Sequence, residues 1–437
     1  MRMYNTMRVP GHVEDPAGTG LMRRGTIMIR SMMAAVVLTT VLVTAISQAG
    51  CTKASREEQK PKPVALSATA VPALADSYNL FGFSLFSGLY RPDGGTVFVS
   101  PASVALCLGM AYNGAGGSTA EGIAKTLHLA GAELSAFNAA NRALIDSLAS
   151  IDPAIRLDIA NSLWLRERFP FRDEFVTDCR ESFDAGVFPL TTADPINAWV
   201  GDKTQQMITK IIDQIDGRDI AVLVNAIYFK GAWSTPFDPE KTKDGTFRGP
   251  KGKQDAQMMV RDAEMPYFED ESVQAVGLPY GAGSASMYVV LPRDQTPIDD
   301  LAGTLTADRW SQWTSSLRSR RGHLEFPRFK ASYFSRINAA LAGLGMQEAF
   351  TSRADFTRLC ECGIGDVFIS DVLHKAVIEV TEEGTEAAAA TSITMRLTSA
   401  MPTEEPFSMI VDRPFLLAIV DKDTGLILFL GAIAGLE

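Results

Sequence analysis

Histidine and the common catalytic motifs are scarce in this sequence. Only four histidines occur among 437 residues, and one of them, His12, lies in a segment that we expect to be a leader. A nucleophile elbow needs the spacing Gly-x-Ser-x-Gly, which Gly281, Gly283 and Ser284 do not have. The sequence also lacks a phosphate-binding loop and a His-Glu-x-x-His motif. These absences argue against an enzyme.

Cysteine is sparse as well, with five in the chain. Cys107 lies in an apolar segment, where a buried and unreactive side chain is expected. Cys360 and Cys362 have a spacing that metal sites use, but no second pair of ligands accompanies them. A bridge between such close partners would be strained. We therefore predict no metal and no cofactor.

The chain has no excess of positive charge and no interrupting linker. Its formal net charge is -10, which argues against nucleic-acid binding. The one compact basic cluster, at residues 318–321, is best interpreted as a solvated turn. Beyond about residue 75 no Pro/Gly/Ser-rich stretch divides the sequence, so a single large domain is favoured.

The longest apolar run near the N-terminus covers residues 32–46 and follows Arg23, Arg24 and Arg30. It is too short for a comfortable membrane span and is typical of a signal peptide. The first twenty residues show no usable pattern. We predict a leader over residues 1–50, a tether over 51–74 and the folded domain over 75–437.

Residues 48–51 resemble the processing box of bacterial lipoproteins, in which the cysteine, here Cys51, becomes lipid-modified. Gln48 stands where that box usually has leucine, and cleavage after Ala49 without lipid is the competing interpretation. The polar residues 52–73 suit a solvated tether, which favours the lipoprotein. We expect an exported protein, either lipid-anchored in the envelope or periplasmic or secreted, with no other membrane contact.

Two helices are predicted at the start of the domain. Large apolar residues recur every three or four positions over residues 79–90, which predicts an amphipathic helix. Ser100 and Pro101 are typical of a cap and a first helical position, and residues 104–112 are apolar on every face. Ser118 begins a sequence with the spacing of a capping box for the next helix.

Several apolar runs predict strands. Residues 221–229 are continuously apolar except for Asn225, so we expect a buried strand whose one amide needs hydrogen-bond partners. The β-branched residues at 377–380 predict another short strand. At the C-terminus, residues 415–420 and 426–433 flank a turn and predict a hairpin.

The segment after residue 380 changes character. Glu382, Glu383 and Gly384 interrupt the apolar run, and only small residues follow until 391, apart from Glu386. An alanine helix is one interpretation. However, every second residue from 385 to 395 is small or apolar, and the charges fall on the other parity, as in a strand with one buried face. Residues 398–405 are typical of an exposed loop, so the segment is exposed yet compatible with a sheet.

This segment resembles the hinge and reactive-centre loop of serpins, with His374 before it and residues 412–416 after it. The resemblance extends over roughly residues 77–437. It assigns the hinge to ten residues: Glu382, Glu383, Gly384, Thr385, Glu386, Ala387, Ala388, Ala389, Ala390 and Thr391. The implied fold is α+β, with a large central and mostly antiparallel β-sheet, further sheets, about eight to nine helices and an exposed reactive-centre loop.

The resemblance also implies a function. A serpin presents its loop to a serine protease, and after cleavage the hinge side enters the central sheet and carries the acylated protease with it. Small inward side chains are the physical condition for that entry. The alternative is a non-inhibitory serpin that serves as a cleavable binding or signalling module. We expect a monomer without glycosaminoglycan activation, because the residues after Leu129 lack basic side chains.

Particular residues acquire roles through the same resemblance. Ser100, Ser103, Asn225 and His374 match the shutter, in which the histidine bonds the asparagine beneath the sheet. Trp233 matches the breach, where the loop first enters.

Family spacing puts the reactive bond about fourteen residues beyond the hinge glycine, between Thr398 and Ser399. A small Thr398 favours an elastase-like or subtilisin-like target. The segment that returns to the body looks longer than is common in the family, so the register could shift. Arg396 would then offer a trypsin-like site, and Leu397 or Met401 a chymotrypsin-like one.

Overall fold

The computed structural model describes residues 1–5, 70–92, 94–129, 131, 133–294, 296–385 and 405–436. These residues belong to one compact unit. Within them, no helix is both long enough and apolar enough to cross a membrane. The predicted lipidation residue Cys51 lies outside the described residues.

The described part of the chain contains nine α-helices: α1 (Ala70–Leu89), α2 (Pro101–Gly114), α3 (Gly117–Thr126), α4 (Leu134–Leu148), α5 (Asp173–Phe183), α6 (Ala193–Lys203), α7 (Ile298–Gly303), α8 (Ala307–Ser316) and α9 (Asn338–Leu341). Short turns of other helix types are Pro239–Lys241, Ala342–Met346 and Gln347–Phe350.

The same residues form seventeen strands: β1 (Arg2–Asn5), β2 (Val97–Val99), β3 (Ile155–Leu165), β4 (Gly186–Pro189), β5 (Asp219–Ala232), β6 (Lys243–Gly249), β7 (Gly252–Glu269), β8 (Val273–Tyr280), β9 (Ala285–Pro292), β10 (Arg318–Pro327), β11 (Phe329–Arg336), β12 (Val367–Asp371), β13 (Leu373–Val380), β14 (Gly384–Thr385), β15 (Phe407–Ile410), β16 (Phe415–Asp421) and β17 (Ile427–Ile433).

Two sheets organise these strands. The first has eight strands, with β11-β13-β14-β5-β1-β12 as its main path and β3 and β4 beyond β5. The second has nine, in the order β15-β10-β7-β8-β9-β16-β17-β2, with β6 beside β7. Only the β3–β4 and β10–β15 pairs are parallel among the described residues. The predicted α+β fold with a large, mostly antiparallel sheet is therefore confirmed.

Helix α2 joins both sheets into one core. As predicted, Pro101 is its first residue, and Ser100 caps it, with the Ser100 Oγ accepting from the Ser103 N–H at 3.2 Å. Its side chains pack against β5 and β17, and Leu108, Leu223 and Leu417 belong to the same buried cluster. Burial on every face explains why this stretch lacks an amphipathic period.

One local prediction was wrong. Helix α3 begins at Gly117 without a side-chain cap, because the Ser118 hydroxyl bonds Glu348 instead of a helix amide. Cys360 and Cys362, for which the sequence indicated only that a bridge would be strained, form a disulfide. Their Cα atoms lie 5.3 Å apart, within the usual range of about 4.4–6.8 Å, so close sequence spacing does not prevent this bridge.

Candidate functional site

The chain reverses direction at the end of β13 and enters the first sheet again. The Thr381 N–H donates to the Gly384 carbonyl at 2.8 Å, which closes a tight turn, and the Thr381 hydroxyl donates to the Glu383 carboxylate at 3.0 Å. After this turn, β14 lies between β13 and β5. Gly384 faces Ala232, and Thr385 faces Gly231 on one side and Val380 on the other. The first residues of the predicted hinge are therefore already part of the sheet.

Gly384 fits this position because it has no side chain. A Cβ atom there would lie 2.1 Å from the Gly231 carbonyl oxygen and 2.9 Å from the Ala232 Cα atom. Both contacts are with backbone atoms, which cannot rotate away. The close approach of two main chains thus requires glycine at the entry to the sheet.

Glu382 fixes the turn to the rest of the molecule. Its side chain is buried, and its carboxylate accepts hydrogen bonds from Arg328 at 2.5 and 3.1 Å and from the Thr242 hydroxyl at 2.8 Å. Burial alone would raise the pKa of the Glu382 carboxyl, but the bonds from Arg328 and Thr242 hold that pKa below its ordinary value. The carboxylate therefore stays charged and holds the hinge in place.

Two stacked aromatic side chains, Trp233 and Tyr280, contact the hinge and the residue before it, and are called the aromatic platform below. Trp233 stacks on Tyr280 with ring centroids 4.4 Å apart, and its indole N–H donates to the Thr381 carbonyl at 3.0 Å. The Thr385 Oγ1 lies 2.5 Å from the Tyr280 hydroxyl oxygen, and both side chains are buried. Burial raises the pKa of Tyr280, so its hydroxyl stays protonated. The structure thus places Trp233, the predicted breach residue, in contact with the hinge.

Below β14 the first sheet is open. β14 pairs with β5 only at residues 231 and 232, and β1 pairs with β5 only at its far end, around residues 219–223. Over residues 224–230 of β5, the described residues provide no strand between β5 and β13. This gap is called the opening below. It is seven residues long and has a strand edge on each side.

Helix α6 and the segment after it lie over the opening. Ile196, Val200 and Ile212 pack on Val222 and Val224 of β5. Beneath them, a cavity of about 40 Å³ is lined by residues of α2, β5 and β13, among them Ser103, Asn225 and His374. Three of the four predicted shutter residues therefore line one cavity at the lower part of the opening.

The hydrogen bonds among the shutter residues differ from the expectation. The His374 Nε2 accepts from the Ser100 backbone N–H at 3.1 Å, not from Asn225. The Asn225 amide donates instead to the Asn161 side-chain oxygen at 2.7 Å, because Asn161 faces it directly on β3. Asn225 and His374 belong to strands on opposite sides of the opening, which explains the missing bond.

Burial keeps His374 neutral. Its side chain is 4% exposed, and desolvation lowers its pKa to about 4. A neutral ring is needed here, since a protonated Nε2 could not accept from Ser100.

Sequence reasoning missed the partners that hold the hinge. Arg328, Thr242 and Tyr280 lie on segments remote from residue 382, and no local pattern connects them. Several predicted residues lie outside the described residues: Glu386, Ala387, Ala388, Ala389, Ala390, Thr391, Arg396, Leu397, Thr398, Ser399 and Met401. Within the described residues, no group of three or more His, Cys, Asp or Glu side chains could hold a metal.

Comparison with known proteins gives concordant results. A sequence profile of the family described as Serpin (serine protease inhibitor) matches residues 76–435. An uncharacterised serpin-like protein of Thermococcus kodakarensis is 31% identical over 365 residues, which cover 82% of this chain and 84% of that one. The leukocyte elastase inhibitor of Bos taurus is 34% identical over 374 residues, covering 81% and 97%.

Solved structures agree with the fold. The thermophilic serpin tengpin in its native state superposes with a TM-score of 0.76 at 29% identity, covering 86% of this chain and 97% of that one. Human thyroxine-binding globulin complexed with thyroxine superposes with a TM-score of 0.73 at 27% identity, covering 84% of this chain and 99% of that one.

Proposed function

The chain belongs to the serpin family, and we propose that it inhibits a serine protease by trapping the acyl-enzyme through insertion of its reactive loop. The opening between β5 and β13 is the observation that carries this proposal. Directly above it, Gly384 and Thr385 already pair with β5 in a regular register, so the next residues of the chain can continue this register into the opening.

The length and composition of the hinge match the opening between β5 and β13. In continuous antiparallel register from Thr385, residues 386–392 would face residues 230 down to 224 of β5, which fills the opening. Four of these seven residues are alanine. Small side chains can pass beneath α6 without a large rearrangement, whereas bulky or charged ones would have to be buried at considerable cost.

The register also favours one reactive bond. Continued to the end of β5, it brings Leu397 opposite Asp219, the first residue of that strand. Cleavage between Thr398 and Ser399 would then release a strand that pairs with β5 along its whole length. Cleavage after Arg396 would give a shorter strand and would carry the protease less far. We therefore propose Thr398 as the specificity residue.

The target proposed is an elastase-like or subtilisin-like serine protease. Thr398 is small and uncharged, which suits a narrow specificity pocket. The similarity to the bovine leukocyte elastase inhibitor supports the same class of target. Trypsin-like proteases remain the alternative if cleavage follows Arg396.

The experiment is denaturing electrophoresis after incubation with an elastase-like, a subtilisin-like and a trypsin-like protease in turn. A band that equals the sum of inhibitor and protease and resists denaturant is expected with one of the first two. Complete cleavage without that band with all three would support the second candidate, a non-inhibitory binding module. The similarity to thyroxine-binding globulin supports that candidate, because that protein is described as binding thyroxine.

We also propose that the protein is an exported bacterial lipoprotein anchored through Cys51. The apolar run at residues 32–46 and the polar residues 52–73 support this location. Replacing Cys51→Ser should move the protein from the membrane fraction to the soluble fraction of the producing cells. An unchanged distribution would favour the competing route, cleavage after Ala49 and release.

A further inference from the structure

The first residues of the chain lie just beyond the far end of the opening, beside residues 219–223 of β5. In β1, Arg2 faces Val222 on β5 and Asp371 on β12, the strand that directly precedes β13, so β1 and β14 lie along the same edge of β5. The N-terminal ammonium of Met1 donates to the Leu223 carbonyl at 2.7 Å, and the Leu223 N–H donates back to the Met1 carbonyl at 2.8 Å. Four residues are too few to show a period, so the sequence alone did not reveal this strand.

This segment is built into the sheet by side chains as well as by main chain. Met1 and Met3 are buried, at 6% and 0% exposure, and belong to the main core. The Arg2 guanidinium lies 4.0 Å from the Asp219 carboxylate and 3.8 Å from the Asp371 carboxylate. Burial lowers the pKa of the Met1 ammonium, which shows how completely this end of the chain is enclosed.

The register on both edges identifies which loop residues this segment replaces. Val222 lies nine residues before Gly231 on β5, and Asp371 lies nine residues before Val380, the two partners of Thr385. The ninth residue after Thr385 is Thr394, so an inserting loop would bring Thr394 to the position of Arg2. The two edges give the same answer independently.

The side chains match as well as the register. Ile393 would come opposite Leu223, where Met1 lies, and Met395 would come opposite Ala221, where Met3 lies. In both segments, the alternate residues at the positions that β1 buries are therefore apolar. While β1 is in place, insertion in this register has room only for residues 386–392.

We propose that the space between β5 and β12, just beyond the opening, is a binding site for an extended strand with alternating apolar residues, and that the chain's own N-terminus occupies it in competition with residues 393–395 of the loop. This inference rests on the proposed function, because the competition matters only if the loop inserts. In a chain that keeps its N-terminus, β1 blocks insertion of the loop beyond residue 392. Removal of the leader also removes β1. Processing during export would therefore convert an inhibitor whose loop can insert only in part into one whose loop can insert completely.

The test compares four proteins: the full chain, the chain without residues 1–5, and full-length Met3→Asp and Met3→Leu. Met3→Asp places a carboxylate in the core and should release β1, whereas Met3→Leu keeps an apolar side chain of similar volume as the matched control. For each protein, the yield of covalent complex and the rate of heat-induced loss of inhibition are measured. The deletion and Met3→Asp should form more complex and lose activity about tenfold faster.

Two outcomes are decisive. Equal yields and equal rates for the full chain and the deletion would overturn the competition. If no protein forms a complex, the proposed function fails, and the strand site is then tested by binding alone. A peptide of residues 1–5, labelled at its C-terminal end, should bind the deletion chain, and the same peptide with Met3→Asp should not. Equal binding of both peptides, or none, would overturn the site.

Discussion

Thr385 makes the contact between the hinge and the aromatic platform. Its side chain is 3% exposed, so Thr385→Arg would bury an unpaired cation at a cost of roughly 3 kcal/mol or more. We expect the target protease to cleave this variant without forming the covalent complex, because the hinge can no longer enter the sheet. Ser332→Arg, at an exposed position of β11 in the same sheet, is the matched control. Full complex yield from Thr385→Arg on denaturing gels would contradict the insertion mechanism.

His374 gives the molecule a sensitivity to acid. Its folded pKa of about 4 lies below the unfolded value of 6.5, so below pH 6.5 the unfolded chain binds the proton that the folded chain excludes. Stability from this residue is complete above pH 6.5 and falls as the pH drops toward 4, by about 2 kcal/mol between pH 7 and pH 5. Urea unfolding midpoints should show this loss in the wild type and a smaller one in His374→Asn.

His323 on β10 is the contrasting control. Hydrogen bonds with Glu325 and Asp262 raise its pKa, so its contribution to stability is present at acid pH and is lost as the pH rises through the folded pKa. His323→Asn should therefore leave the loss between pH 7 and pH 5 in place or increase it. If His374→Asn retained the full loss, the assignment to His374 would be wrong.

The shutter residues show what can be predicted at this scale. The cap at Ser100 follows from a local rule, since the capped amide lies only three residues away. The expected bond between His374 and Asn225 depends on how far apart two strands lie, and the sequence contains no information about an opening between them. The same limit applies to Arg328 and Glu382, whose pairing spans 54 residues.

Among the secondary-structure elements, β14 depends most on a single residue. Gly384→Ala would place a methyl group 2.1 Å from the Gly231 carbonyl oxygen, so we expect β14 to leave the sheet. The intact protein should lose about 1–3 kcal/mol of stability, measured by urea unfolding. Gly343→Ala is the matched control, because an added Cβ there meets nothing within 4 Å. Equal unfolding midpoints for the two variants would show that the hinge does not pair as described.

The reactive bond is a second prediction about a single segment. A strand that pairs with all of β5 ends at Leu397 in the present register. Mass spectrometry of the C-terminal fragment released from a stable complex should find Ser399 at its start. A fragment that begins at Leu397 would move the bond to Arg396 and change the expected target to a trypsin-like protease.

Long elements with strong patterns could be predicted, and short ones could not. Helix α2 and the β16–β17 hairpin appear where apolar patterning and turn residues put them. By contrast, β1 and β14 have four and two residues, and they are strands only because two long neighbours pair with them. The hinge pattern predicted an exposed segment that is compatible with a sheet, but not that its first residues, Gly384 and Thr385, already lie in the sheet.

At the scale of the whole molecule, the proposed mechanism requires that the opening store the free energy that drives inhibition. A strand inserted beside residues 224–230 would add a ladder of hydrogen bonds, each contributing about 0.5–1.5 kcal/mol net. The intact protein cannot form this ladder without drawing in the loop whose ends are still joined to the body. Cleavage removes that restraint, so the cleaved form is expected to be the more stable one.

Hydrogen exchange before and after cleavage tests this claim most directly. The backbone amides of residues 224–230 and 373–379 that point into the opening should exchange readily in the intact protein. After cleavage by the target protease, they should become as strongly protected as amides in the β3–β5 pair, because an inserted strand accepts their hydrogen bonds. Unchanged exchange of both segments in a protein cleaved at the reactive bond would show that no strand enters the sheet, and would contradict inhibition by loop insertion.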